Sequence, residues 1–77
     1  MVDAKQIQEH AKVVGLDGKH VGTVDHVDGA EIKLTKSDPD AGGLHHYIPL
    51  DFVHEVEGDV VKLNKPADEV MREWSTS

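Results

Sequence analysis

The chain has no cysteine. This excludes a disulfide framework, a thiol nucleophile and a thiolate metal site. Aromatic residues are scarce, Tyr47, Phe52 and Trp74 being the full set. Any core must therefore come from Val, Ile, Leu and Ala, and it will be thin. Basic residues are also few, with 8 Lys and Arg against 15 Asp and Glu and a net charge of −7. Such a chain repels phosphate backbones, whose attraction to Lys and Arg drives non-specific nucleic-acid binding. Anionic membrane surfaces repel it for the same reason. Neither nucleic acid nor membrane is expected as a partner. No apolar run approaches the roughly 20 residues that span a bilayer. The first ten residues are polar and lack the basic-then-apolar order of a secretion signal, so the expected location is cytoplasmic.

What is present fits one domain over residues 1–77. A domain this short buries only about 60% of the surface its unfolded chain exposes. With disulfides excluded, the usual remaining aids are a metal or a partner subunit.

Along the chain, Asp3 and Gln6 have the spacing of a capping box, and Ile7 and Ala11 then share one helical face. A short helical turn is expected over 4–10. Beyond it, apolar runs alternate with turn signals: Asp17-Gly18, Asp28-Gly29 and Gly58-Asp59. The Asp-Gly pairs fit hairpin turns of type I′, whose central residues both need positive φ. Ile32 and Leu34 alternate with Glu31, Lys33 and Thr35, as in a strand with one buried face. Ile48, Leu50 and Phe52 alternate likewise. Val21, Val24 and Val27 instead recur every third residue, which a plain strand cannot bury. A bulge near Gly22 is expected to resolve this. Pro49 marks an edge or a bend. The stretch from Ser37 to Gly43 is the longest irregular one and is expected to be the most mobile. Pro66, acidic Asp68 and Glu69, and the Val70–Trp74 pair predict a short helix over 66–74.

The segment from Val13 to Val24, with Asp17-Gly18-Lys19 followed by Val21-Gly22-Thr23-Val24, resembles the opening of PRC-barrel domains. Ile48-Pro49-Leu50-Asp51-Phe52-Val53, then Val56 and Val60 to Leu63, resembles their second half. Together with Ile32 to Lys36 and His45-His46-Tyr47, the pattern is most similar to a small bacterial family of unknown function, a stand-alone PRC-barrel-like domain. The resemblance spans about residues 7–64. It implies a mainly β fold: a small PRC-barrel-like β-barrel of five to six short antiparallel strands, with a helical turn at the N-terminus and a short helix at the C-terminus. It also implies a protein-binding adaptor with no catalytic residues.

The residues themselves offer little chemistry. Ser37, Ser75 and Ser77 lie outside any nucleophile-elbow context. Gly42-Gly43 has neither the spacing nor the following Lys of a phosphate loop. No enzyme activity and no cofactor are expected. Six histidines stand out: His10, His20, His26, His45, His46 and His54. Imidazoles ligate metals when three or four converge. Adjacent residues of a strand face opposite sides, so His45 and His46 cannot both join one face. One of them could meet His26 or His54 across the sheet, making His45, His46, His26 and His54 the candidate metal or small-ligand set. The plainer reading is ordinary surface histidines hydrogen-bonded to carboxylates and backbone. Protonating all six would cancel most of the net charge, so pH-responsive self-association is a further alternative. Tyr47, pointing outward with His45 beside Pro49, is the candidate protein-contact surface. A sheet edge near Pro49 or Tyr47 suggests a homodimer. The leading functional expectation is a non-enzymatic interaction or adaptor module whose protein partner the sequence does not name.

Overall fold

The valine-rich segments between glycine turns do form strands. The computed structural model describes residues 6–36 and 42–76. It contains β1 (Lys12–Val14), β2 (His20–Asp28), β3 (Glu31–Leu34), β4 (His46–Pro49), β5 (Val53–Glu57), β6 (Val60–Leu63) and the two-residue β7 (Ser75–Thr76). Helix α1 (Ala67–Glu73) lies between β6 and β7. All strands join one sheet in the order β5-β6-β1-β2-β3-β4-β7. β1 runs parallel to β6, while every other pairing is antiparallel.

The mainly β expectation holds, but the barrel does not. The sheet is open: β5 and β7 are its edges and are not paired with each other among the described residues. Closure requires strands that tilt and stagger around an axis with a continuous ladder. Closure would have to join edge strands β5 and β7, and β7 offers only two residues. Helix α1 adds Ala67 and Val70 to the apolar interior instead. The all-antiparallel expectation also fails at the β1–β6 pair, which joins strands from opposite ends of the chain.

Bulges explain the threefold valine spacing. Val13 faces Gly22 and Val14 faces His20, leaving Val21 as an extra residue. Val24 faces Leu34 and His26 faces Lys33, leaving Asp25 extra. Each extra residue resets the alternation. Val21 and Val24 are thus fully buried, and Val27 packs against the core. The expected bulge beside Gly22 is present, and a second one follows it. A third lies at His54 in β5.

Two hairpins use glycine at the first position of a two-residue loop. Gly29 (φ 63°) lies between paired Asp28 and Glu31, and Gly58 (φ 57°) lies between paired Glu57 and Val60. Ala30 and Asp59, the second loop residues, do not have positive φ. That is the signature of a type II′ turn, so the expected type I′ geometry is corrected. Asp28 ends its strand and does not enter the turn. Pro49 does mark a bend: it ends β4, and Leu50–Phe52 form a 3-10 turn where the alternation suggested a strand.

Of the expected N-terminal helical turn, residues 6–10 are described and Asp3 is not; residues 7–10 are not helical, Ile7 and Gln8 being irregular and Glu9 and His10 forming a turn. Ile7 and Ala11 are both buried, as their spacing suggested. His10 closes this segment with φ 69°, the one non-glycine residue with positive φ among those described.

The inner face of the sheet is wholly aliphatic at its centre. Val13, Val24, Ile32, Ile48, Val61 and Leu63 are fully buried there, together with Val70 of α1. Helix α1 follows the expected pattern. Pro66 is its N-cap, Asp68 and Glu69 stand in its first turn and Arg72 in its last, each complementing the helix dipole. The Lys65 ammonium lies 3.0 Å from Glu73 Oε1 and 4.4 Å above the Phe52 ring, which ties the helix to the 3-10 turn. No helix among the described residues is long and apolar enough to cross a membrane.

Candidate interaction surface

Strand alternation decides which side chains face outward. In β4, His46 and Ile48 are buried, so Tyr47 and Pro49 point to the opposite, outer face, where both are half-buried. Register places Tyr47 beside Lys33 of β3, and Lys33 beside His26 of β2. Tyr47 is also paired with Ser75 of β7, so the sheet edge expected at Tyr47 is not there: β7 covers β4 and is itself the edge. A continuous outer row therefore runs His26, Lys33, Tyr47, Ser75. A second row places Glu31 between Asp28 and Pro49. Asp25, thrown outward by its bulge, lies 3.9 Å from the Lys33 ammonium and 3.7 Å from His26 Nδ1. These groups are part-exposed, so the pairs contribute little to stability. They set an acidic neighbour beside Lys33 on the face that carries Tyr47.

His45 immediately precedes β4 and is half-buried. Its Nδ1 lies 2.9 Å from the Leu34 carbonyl oxygen. A carbonyl only accepts, so Nδ1 is the donor and the proton resides there. Nε2 is then the second polar atom of a ring held at a fixed angle. Of the three residues expected to form a contact surface, Tyr47 and Pro49 share the outer face of β4, and His45 lies just before that strand.

The four candidate metal ligands are dispersed. His46 is buried on the inner side, His26 is on the outer face of β2, His45 is tied to Leu34, and His54 occupies the exposed bulge of the far edge strand β5. Among the described residues, no group of three His, Asp or Glu side chains gathers to hold a metal ion. Of the stretch from Ser37 to Gly43, expected to be the most mobile, residues 37–41 lie outside the described residues. His46 stacks on Trp74, with ring centroids 3.8 Å apart and planes 13° from parallel. This contact fastens the segment after α1 onto β4.

Two features went unread in the sequence. Asp17, whose Asp-Gly context signals only a turn, reaches the start of α1. Its Oδ1 accepts from Lys19 N at 3.2 Å and from Ala67 N at 3.3 Å. Pro66 supplies no side-chain cap, so Asp17 caps the helix from a distant loop. Desolvation works to raise the Asp17 carboxyl, but the backbone donors and the Lys19 charge outweigh it and hold it below the usual carboxylate value. Gly15 permits this approach: a Cβ there would meet Ala67 N at 2.4 Å.

The second feature is a groove on the outer face of β1, β5 and β6. It encloses about 110 Å³ and is lined by Val14, Val60, Glu55, Glu57 and Lys62. The alternation of Val53-His-Glu-Val-Glu57 signals that Glu55 and Glu57 share a face. The parallel β1–β6 pairing that brings Val14 alongside has no local signal. A cavity this small falls short of the roughly 300–1,000 Å³ that small-molecule sites enclose.

A family model described as an uncharacterized protein conserved in bacteria (DUF2171) matches residues 7–71. Neither the curated proteins nor the solved structures yield a significant match to the chain.

Proposed function

The chain belongs to this conserved bacterial family, DUF2171, and from that premise we propose that it is a non-enzymatic protein-interaction module. The observation that carries the reading is the division of labour between the two sheet faces. The inner face is spent on the aliphatic core. The outer face presents Tyr47 and Pro49 beside Lys33 and its acidic neighbour Asp25. Tyr gives large contact area at small entropic cost, which makes it a frequent anchor of binding surfaces. The groove beside β5, at about 110 Å³, is smaller than the roughly 300–1,000 Å³ of small-molecule sites. The likeness of Val13–Val24 and Ile48–Leu63 to PRC-barrel domains points the same way, since those domains are adaptors.

The test replaces Tyr47 with a photo-crosslinking phenylalanine analogue in the cell of origin. A discrete protein adduct is expected, weakened by Lys33→Glu. The same adduct from an analogue placed at exposed Asp68, on α1, would defeat the assignment of this face. Absence of any adduct from Tyr47 and His45 positions in folded protein would defeat the reading itself. Sedimentation separates a foreign partner from a second copy.

A further inference from the structure

We infer that the β5 edge, with the groove beside it, accepts an added strand from a partner whose residues alternate basic–apolar–basic. The inference rests on the reading of the chain as an interaction module, but uses a face remote from Tyr47.

β5 is hydrogen-bonded to β6 on one side and is a terminal strand of the sheet. Its outer face carries Glu55 and Glu57, and Val56 between them points inward and is only half-buried. Among the described residues, neither glutamate has an ion-pair partner within 4 Å. Beside them the groove is lined by Val14, Val60 and Lys62; Lys62 stands opposite Glu55 in the ladder, so the two glutamates and this lysine together carry a net charge of −1. Glu57, with apolar Val60 opposite it, suits the side chain of Lys or Arg, whose aliphatic stem packs on apolar surface while its head stays with charge. A strand added to β5 lies about 4.8 Å away. Two of its residues, two positions apart, then face Glu55 and Glu57, and the residue between them covers Val56.

Charge also selects against the obvious competitor. Antiparallel pairing of two β5 strands centred on Glu55 or Val56 would bring glutamates opposite or diagonal to one another. Like charges directly opposite destabilise a ladder, and each copy carries −7 overall. The two carboxylates thus guard the edge against its own copy, while leaving the Glu55–Glu57 stretch beyond the His54 bulge complementary to a cationic strand. Strand addition takes affinity from main-chain hydrogen bonds and specificity from alternate side chains.

The experiment titrates the full-length, isotope-labelled chain with an end-blocked heptapeptide of alternating lysine and valine, followed by amide NMR. Shifts centred on Val53–Glu57 are expected. A peptide of the same composition with its lysines in one block, and one N-methylated at alternate residues, are expected to bind far more weakly. Glu55→Gln with Glu57→Gln is expected to weaken binding about ten-fold, as loss of two exposed charge contacts of roughly 0.7 kcal/mol each would give. No binding, equal binding by the N-methylated peptide, or an unchanged affinity of the double variant overturns the β5 inference. Shifts confined to His26, Lys33 and Tyr47 overturn it too, but leave the interaction-module reading intact.

Discussion

Gly15→Ala tests how the C-terminal helix is seated. An alanine Cβ would lie 2.4 Å from Ala67 N and 2.9 Å from Ala67 Cα. Both are backbone atoms of the first helical residue, so no side-chain rotation relieves the clash. Either β1 or α1 must move. Movement of α1 opens the core at Ala67 and Val70, and lengthens the Asp17 contact. Overpacking of this kind costs about 1–3 kcal/mol. A domain of this length is held by roughly 4–12 kcal/mol in all. At the middle of the range, the melting temperature should fall by about 8–16 °C, since 1 kcal/mol corresponds to roughly 4–8 °C at this size. The control is Gly18→Ala. Gly18 has φ 82° with open space around it, so its cost of about 1–2 kcal/mol arises from backbone strain alone. Thermal melts by far-UV circular dichroism, read beside Trp74 fluorescence, separate the two. Gly15→Ala should shift the native Trp74 emission, because the His46–Trp74 stack follows α1; Gly18→Ala should leave it unchanged. A Gly15→Ala protein that melts with the wild type, emission unaltered, refutes the argument.

Three further outcomes are expected. Asp17→Asn should lower the melting temperature at neutral pH. Because the native carboxyl titrates below its unfolded value near 3.9, its contribution is complete above that value and fades as pH falls through the depressed native one; parallel melts at pH 7 and pH 2.5 should show the wild-type advantage shrinking. His10→Gly should stabilise by about 1 kcal/mol, since it relieves the positive φ of a non-glycine residue; urea midpoints check this, with His20→Gly in exposed β2 expected to destabilise. Trp74→Ala should cost about 2–3 kcal/mol, less than the 3–5 kcal/mol of a fully buried aromatic because Trp74 is half-buried; a chemical melt showing less than 0.5 kcal/mol would mean that the stack does not hold the C-terminal segment.

Local pattern carried most of the fold. Alternation at Ile32 and Leu34 found β3, and Pro66 with Val70 and Trp74 found α1. The failed alternation at Val21, Val24 and Val27 located one bulge and implied more bending than a single bulge supplies. What escaped was non-local. Nothing near Val13 says that it will lie parallel to Val61, because parallel pairing leaves no turn between the partners. Nothing near Asp17 says that it will cap a helix fifty positions on; its Asp-Gly context points to the nearer role. The buried histidine was equally hidden. His45 and His46 are chemically identical in sequence, and only the phase of β4, fixed by Ile48, decides which one turns inward to Trp74. The outward placement of Tyr47 was readable from that same phase.

The parallel pair at the centre has a kinetic consequence. The β2–β3 and β5–β6 hairpins close two-residue loops, so their partners meet early, but an isolated hairpin is only marginally stable in water. They become one sheet only when Lys12–Val14 is captured on both sides, by His20–Thr23 and by Val60–Lys62. Long-range registration of this sort is slow compared with hairpin closure. Folding should therefore wait on a three-residue latch, and softening that latch should slow refolding more than an equal loss of stability within either hairpin.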